Sequence, residues 1–158
     1  MTTTGGGAGS EPVRLARPGE AAAVADLVER AYAPWVAVVG RRPAPMDDDY
    51  PAHVAAREVF VLPRDGRIAA IAVLIDQPDH LLLDNVAVEP DLAGLGLGRM
   101  MIDFSEGEAR RRGYRELRLF TNALMVRNIA LYERLGFTET HRRQEGAFFR
   151  VFMSKAVG

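Results

Sequence analysis

Three glycines at alternate positions could bind an anionic group through the main chain. They are Gly94, Gly96 and Gly98, and they follow the apolar run from Val86 to Val88. Because glycine has no Cβ, a ligand can approach main-chain N–H groups that side chains would otherwise shield. The pattern predicts a helix that starts at about Gly98, and the first N–H groups of a helix lack intrahelical partners. This stretch therefore favours the binding of a phosphate group.

Two well-known phosphate loops do not match this stretch. A dinucleotide fingerprint needs G-x-G-x-x-G, but counting from Gly94 the third glycine falls one position early, and counting from Gly96 its place is taken by Met101. A nucleotide-triphosphate loop needs a Gly-Lys pair, which occurs nowhere in the chain. The sequence therefore excludes the nucleotide-binding classes that these two motifs define.

Two motifs together resemble the GNAT superfamily of N-acetyltransferases. The glycine-rich stretch resembles the family's pyrophosphate loop, [QR]-x-x-G-x-[GA], with Gly96 and Gly98 as its glycines and Ala93 in place of the usual Gln or Arg. The segment from Leu131 to Phe137 resembles the second family signature, Leu-Tyr-x-x-x-Gly-Phe. Both motifs lie in the family's order, within about residues 81–137. The resemblance implies an enzyme that uses the cofactor acetyl-CoA and acetylates an amine of a small molecule or peptide by direct attack in a ternary complex.

The resemblance also implies that main-chain groups of the strand, the turn and the helix start hold acetyl-CoA. Ala93 removes one side-chain contact and leaves the main-chain contacts intact. Family members frequently place an Asn seven residues before the Tyr of the second motif, but Met125 stands there in this chain. Asn122 and Asn128 are candidate substitutes. The predicted cofactor-binding residues are Val86, Ala87, Val88, Gly94, Leu95, Gly96, Leu97, Gly98, Arg99 and Asn128.

Two side chains are candidates for proton transfer. An amine acceptor has a pKa of about 10.4, so only about one molecule in a few thousand is unprotonated at pH 7, and the leaving thiol has a pKa near 8.5. The resemblance implies that Tyr132 is the general acid that protonates the departing thiolate. The alternative is a core aromatic beside Leu131 and Leu135. Asp84 could accept the proton of the amine through water, or it could be a solvated residue at the start of a strand.

The acidic run Asp47-Asp48-Asp49 has two interpretations. It could attract a cationic acceptor, or it could cap a short helix, because Asp is favoured at the N-cap and in the first turn. In the family that the chain resembles, the segment between the first two helices shapes the acceptor pocket, so Trp35 and Tyr50 are further candidates. Asn85 is the last acceptor-binding candidate. Strand alternation predicts that its side chain and that of Asp84 lie on opposite faces of the sheet.

The composition argues against several other classes of protein. Lys and Arg number 20 against 21 Asp and Glu, so there is no basic field for nucleic acid. Cysteine is absent, which excludes disulfides and thiolate chemistry. His53, His80 and His141 are far apart in sequence without a flanking ligand cluster, so no metal site is expected. No apolar run reaches the roughly 18 residues of a membrane span, so a cytoplasmic protein without a membrane partner is expected, with a homodimer left open.

These candidates must be positioned by an α+β fold. The periodicity predicts the order β-α-α-β-β-β-α-β-α-β-β, a mixed, mostly antiparallel central sheet flanked by helices, which is also the GNAT order. Residues 11–158 are expected to form a single domain, and residues 1–10 a disordered tail. Pro34 is expected to end the first helix. Residues 35–51 are expected to be a loop, with a short helix near residues 47–57.

Two other functions are compatible with the same residues. A non-catalytic acyl-CoA-binding or scaffold domain would need the glycine turn but not Tyr132. An acyltransferase that uses a different acyl chain or a hydroxyl acceptor would need both. Retention of Tyr132 favours an enzyme over a scaffold.

Overall fold

One mixed sheet of seven strands organises residues 11–158, the part of the chain that a computed structural model describes. The strands are β1 (Arg14–Leu15), β2 (Val59–Arg64), β3 (Arg67–Asp76), β4 (Leu81–Val88), β5 (Glu116–Asn122), β6 (Thr138–Glu145) and β7 (Phe148–Ala156). Their order across the sheet is β1-β2-β3-β4-β5-β7-β6, and among these strands only β4 and β5 are parallel neighbours. The predicted α+β fold with a mostly antiparallel sheet is confirmed. The tail predicted for residues 1–10 lies outside the described residues.

Helices connect the strands and pack on both faces of the sheet. They are α1 (Ala21–Tyr32), α2 (Trp35–Val39), α3 (Tyr50–Ala55), α4 (Leu97–Arg111) and α5 (Val126–Arg134). Within residues 11–158, no helix is both long and apolar enough to cross a membrane.

Helix α2 lies in a segment that the sequence predicts to be a loop, and that prediction is wrong. Proline is tolerated at the start of a helix, where its missing N–H is not needed. Pro34 therefore follows the end of α1 and is also the N-cap of α2. Gly40, with a φ of 86°, ends this short helix. The next helix, α3, begins at Tyr50 rather than near Asp47, where a 3-10 turn stands instead.

Two apolar clusters cover the two faces of the sheet. On one face, α4 and α5 bury Leu83, Met101 and Tyr132 against the strands. On the other face, α1 and α3 bury Val28 and Ile71. The first cluster therefore fixes the helices that carry the two sequence motifs, and the second fixes the segment between α1 and β2.

The parallel strands β4 and β5 are paired over only part of their length. Three residue pairs join them, from Leu81 with Leu117 to Leu83 with Leu119. Beyond Leu83, β4 continues to Val88 and remains paired with β3, but it has no partner on the β5 side. Unpaired N–H and C=O groups of β4 therefore face an opening in the middle of the sheet.

A β-bulge at Asp84 marks the start of this opening. Leu74 of β3 pairs with Leu83, whereas the preceding Val73 pairs with Asn85, so Asp84 is the extra residue. The bulge reverses the alternation along β4. The prediction that Asp84 and Asn85 lie on opposite faces is therefore wrong, because both side chains meet the segment of residues 48–53.

Candidate active site

The glycine turn leads from β4 into α4 with a left-handed backbone. Gly94 and Gly96 have φ values of 85° and 78°, a conformation that other residues rarely adopt. A Cβ built on either residue would have no neighbour within 4 Å, so the main chain there is open to a ligand. Gly96 is the N-cap of α4 and provides no side-chain cap for the first N–H groups of the helix. These features fit the pyrophosphate of acetyl-CoA.

The other predicted cofactor-binding residues differ in what their side chains contact. Leu97 is the first residue of α4 and is buried in the core, so only its main chain is available. Leu95 and Arg99 are exposed on either side of it. Val88 lies 3.7 Å from the Cβ position of Gly98, which brings β4 and the start of α4 together. The side chain of Ala87 points away from the opening, into the cluster under α1.

A narrow pocket occupies the opening between β4 and β5. Its cavity volume is about 60 Å³, enough for a few non-hydrogen atoms. Among the sequence candidates it is lined by Asp84, Asn85, Val86, Asn122, Asn128 and Tyr132. The pocket therefore brings together both candidates for proton transfer, although they are 48 positions apart in the chain.

Tyr132 has its ring in the core and its hydroxyl at the pocket. The ring packs edge-on against Phe137, with 5.9 Å between the ring centres. Its hydroxyl has no hydrogen-bond partner among residues 11–158. Every side-chain polar atom of these residues that is fully enclosed has a partner, so the Tyr132 hydroxyl is not fully enclosed. The hydroxyl must therefore be reached through the pocket. Burial raises the pKa of Tyr132 to about 12, so the hydroxyl keeps its proton at neutral pH.

Asp84 is a partly buried carboxylate without a hydrogen-bond partner in the described part of the chain. Burial raises its pKa, and the negative charge of Asp48 raises it further. His53 and Arg150 act in the opposite direction. The result is a carboxylate with a stronger affinity for a proton than an exposed Asp has.

His53 lies behind Asp84 in a cluster that the sequence does not reveal. Its Nδ1 is 2.8 Å from Glu58 Oε1 and its Nε2 is 2.9 Å from Asp48 Oδ2. Burial alone would lower the pKa of His53, but the two carboxylates outweigh this effect and raise it. Ligand atoms of Asp48, His53 and Asp84 lie within 4.8 Å of one another, so the reasoning that found no ligand cluster near this histidine is wrong. A protonated ring satisfies both hydrogen-bonded carboxylates without an ion, and the absence of a metal site stays a prediction.

Asn85 and Tyr50 use their polar atoms within the protein. Tyr32 Oη donates to Asn85 Oδ1 at 2.6 Å, and Asn85 Nδ2 donates to Tyr50 Oη at 3.0 Å. Tyr50 Oη in turn donates to the carbonyl oxygen of Pro45 at 2.6 Å. Burial raises the pKa of Tyr32 far above its usual value, so this chain of hydrogen bonds stays neutral. These hydrogen bonds hold the segment of residues 43–45 against the pocket, which this segment lines.

Each residue of the acidic run has its own partner in the protein. Asp47 accepts a hydrogen bond from Arg42 at 3.0 Å, and Asp48 contacts His53. Asp49 is the N-cap of α3 and accepts from the main-chain N–H of Ala52 at 3.0 Å. None of the three lines the pocket, and neither does Trp35 in α2. The helix-capping interpretation therefore holds for Asp49 alone.

Replacing Asp49 with Ala is expected to lower the free energy of unfolding by about 1 kcal/mol, because the first turn of α3 loses its cap. Asn caps a helix about as well, so Asp49→Asn should unfold at nearly the same urea concentration as the parent. Urea unfolding followed by circular dichroism measures both variants. Equal stability of the Ala and Asn variants would contradict the capping role.

Several residues that line the pocket were not among the sequence candidates. They include Tyr32, Pro43, Ala44, Pro45, Phe120, Phe148 and Arg150. Alternation along β7 does place Arg150 on the face opposite Val151 and Met153, which are core residues. It does not show that this face borders the opening, because that depends on where β4 and β5 separate.

The chain is similar to acetyltransferases in sequence and in fold. The model of the Acetyltransferase (GNAT) family matches residues 23–137. The [Ribosomal protein bS18]-alanine N-acetyltransferase of Escherichia coli (strain K12) is 39% identical over 85 residues, 54% of this chain and 57% of that protein. The crystal structure of the ribosomal-protein-S18-alanine N-acetyltransferase from Escherichia coli has a TM-score of 0.69 at 25% identity, covering 92% of this chain and 93% of that chain.

A further solved structure shares the fold. The yncA protein of Salmonella typhimurium, solved with its cofactor acetyl-CoA, has a TM-score of 0.69 at 22% identity, covering 93% of this chain and 94% of that chain. The chain spans 57% of the length of the Escherichia coli relative that it matches in sequence.

Proposed function

Because this chain belongs to the GNAT acetyltransferase family, we propose that it transfers the acetyl group of acetyl-CoA to a primary amine of a small molecule or peptide by direct attack in a ternary complex. The observation that carries this proposal is the convergence of two proton-transfer groups on one pocket. The Tyr132 hydroxyl and the Asp84 carboxylate both line the opening between β4 and β5. The glycine turn follows β4 after one 3-10 turn (Pro90–Leu92), so the same strand leads from the pocket to the phosphate-binding groups.

The main chain of this protein would hold the cofactor. Gly94, Gly96 and the start of α4 offer N–H groups to the pyrophosphate, and the exposed Arg99 stands beside them. The open edge of β4 from Val86 to Val88 offers hydrogen-bonding groups that β5 leaves unused. Bound acetyl-CoA supplies the acetyl group as a thioester with a thiolate leaving group.

Tyr132 is proposed to give its proton to the departing sulfur. Its raised pKa keeps the hydroxyl protonated, and the hydroxyl has no described partner that would compete for the proton. Asp84 is proposed to take the proton from the acceptor ammonium, directly or through a water molecule. Its raised pKa makes it a better proton acceptor than an exposed Asp.

Replacing Asp84 with Asn is expected to lower kcat/KM for amine acceptors by about 100-fold, the lower end of the range for a general base. In the parent, kcat/KM should rise as pH increases through the raised pKa of Asp84, and this limb should disappear in the variant. A pH profile with several amines measures both effects. A variant that keeps the parent's rate and profile would show that Asp84 does not accept the proton.

The same substitution makes a prediction about stability. A carboxyl with a raised pKa in the folded state stabilises the fold when protonated, and this contribution is lost as pH rises through that pKa. At neutral pH the ionised Asp84 therefore destabilises the protein relative to a neutral residue of the same shape. Asp84→Asn should unfold at a slightly higher temperature than the parent at pH 7, which separates loss of activity from loss of folding.

A non-catalytic acyl-CoA-binding domain is the alternative from a different functional class. Mixing the protein and acetyl-CoA with amines, amino acids, aminoglycosides and peptides with free N-termini, and following the release of coenzyme A, distinguishes the two. Peptides belong in the screen because one relative is named for an alanine of a ribosomal protein, which also motivates proposing the cytoplasm as the place of reaction. Tight binding of acetyl-CoA without turnover of any acceptor would favour the scaffold.

A further inference from the structure

Arg150 is the cation that borders the pocket at its β7 side. Its guanidinium carbon lies 4.4 Å from the ring centre of Phe120 and 5.8 Å from that of Phe148. These rings hold the guanidinium in place and keep water from one of its faces. Arg150 is therefore a positioned cation rather than a mobile surface side chain.

The hydrogen bonds of Arg150 leave donors available for a ligand. Its NH1 group donates to Glu145 Oε1 at 2.8 Å, its one hydrogen bond to another described side chain. A guanidinium carries five N–H donors, arranged in a fork that matches a carboxylate. Most of these donors remain unused within residues 11–158.

The partner of Arg150 does not neutralise the charge around it. Glu145 also accepts from Arg143 Nε at 2.7 Å, so two guanidinium groups share one carboxylate. Both arginines lower the pKa of Glu145, which therefore stays ionised near neutral pH. One positive charge is left over on this side of the pocket.

Opposite charges thus stand on two sides of one small pocket. Asp84 offers a negative charge to an ammonium group, and Arg150 is close enough to lower the pKa of that carboxyl. An acceptor with a carboxylate a few bonds from its amine would match both groups. An amine that lacks a carboxylate would leave the unused donors of Arg150 without a partner in the acceptor.

We infer that Arg150 binds a carboxylate group of the acceptor, so that the acceptor is a compact molecule or chain end carrying both an amine and a carboxylate. This inference rests on the proposed acetyl transfer to an amine, and it names the class of amine. Arg150 determines specificity by contacting the acceptor away from the reacting atoms.

The test compares ω-amino acids of increasing chain length with amino alcohols of the same length, using release of coenzyme A as the readout. The parent should prefer the amino acids. Arg150→Gln should lower kcat/KM for them by roughly 10- to 100-fold, mainly through KM, and should change the amino alcohols little. Each loss is a ratio between the variant and the parent for one compound, so the pKa of the amine cancels from it. The parent's preference is compared at equal concentrations of unprotonated amine.

Arg143→Gln is the matched control. Arg143 shares Glu145 and pairs with Arg150 across β6 and β7, but it does not line the pocket. This variant should keep the parent's preference for amino acids. Arg150→Lys keeps the charge but not the fork, so it should recover part of the loss and show that the effect is not a folding defect.

Calorimetry separates this inference from the proposed function. The same amino acids are titrated into each protein saturated with free coenzyme A, and binding should depend on Arg150 whether or not turnover occurs. Binding that depends on Arg150 without turnover would support the inference and count against acetyl transfer. Two results would overturn the inference and leave acetyl transfer standing. In the first, Arg150→Gln loses kcat/KM equally for amino acids and amino alcohols. In the second, the parent acetylates both kinds of compound without preference.

Discussion

Replacing Tyr132 with Phe is expected to lower kcat by roughly 10²- to 10⁴-fold while the affinity for acetyl-CoA stays nearly unchanged. The ring packs in the core against Phe137 and stays in the variant, so the substitution removes only the hydroxyl at the pocket. No described residue loses a hydrogen bond, and stability should therefore change little. Steady-state kinetics with saturating acetyl-CoA, together with calorimetry, measures the two quantities separately.

Tyr114→Phe is a matched control for this prediction. Tyr114 Oη donates to Asp76 at 2.9 Å, on the surface and away from the pocket, so loss of that hydroxyl should leave kcat unchanged. A Tyr132→Phe variant that acetylates at the parent's rate between pH 6 and 9 would show that Tyr132 is only a core aromatic. A smaller loss, of about tenfold, would mean that water can supply the proton in its place.

Replacing Gly96 with Asp is expected to weaken acetyl-CoA binding by more than about 100-fold. The variant places a side chain where the φ is 78° and adds a negative charge at the start of α4, where the pyrophosphate should approach. A Cβ at this position meets nothing within 4 Å, so the fold has room for the new side chain. Calorimetry with acetyl-CoA measures the affinity, and far-UV circular dichroism should remain native.

Gly107→Asp places the same charge farther along α4. This glycine also has no neighbour within 4 Å of its Cβ position, and its φ lies outside the left-handed region. Its acetyl-CoA affinity should stay close to that of the parent. If the Gly96 variant binds acetyl-CoA as tightly as the Gly107 variant does, the glycine turn is not the phosphate-binding site.

The parts of the molecule that depend on neighbours in the chain could be predicted from the sequence. A turn through Pro78, followed by a mainly apolar segment, predicts a strand over residues 81–88, and β4 has the bounds Leu81–Val88. The start of α4 differs by one residue from the predicted Gly98, because the N-cap is Gly96 and not a side chain that would mark it. Tyr132 and Asn128 could be predicted to share a helix face because they are one turn apart.

The parts that depend on pairing between distant strands could not be predicted. The bulge at Asp84 is a shift in the pairing register between β3 and β4, and no residue type in β4 predicts it. The contact of Arg150 with Phe120 arises from the antiparallel pairing of β7 with β5, whose register sequence alone does not specify. The separate roles of the acidic run could not be predicted either, because its three adjacent carboxylates contact three different partners.

Because β4 and β5 pair over only three residues, the sheet of the free protein leaves main-chain hydrogen-bonding groups of β4 unpaired. One or two more residue pairs beyond Leu83 and Leu119, the first of which would include the main chain of Asp84, would satisfy more main-chain groups. They would close the pocket even though the side chains of Asp84 and Tyr132 stayed unchanged. Such a protein would be more stable and inactive, which is the trade between stability and activity seen in many enzymes. A ligand that forms hydrogen bonds with the open edge of β4 satisfies the main-chain groups that a neighbouring strand would satisfy. Binding of such a ligand should therefore also raise the free energy of unfolding.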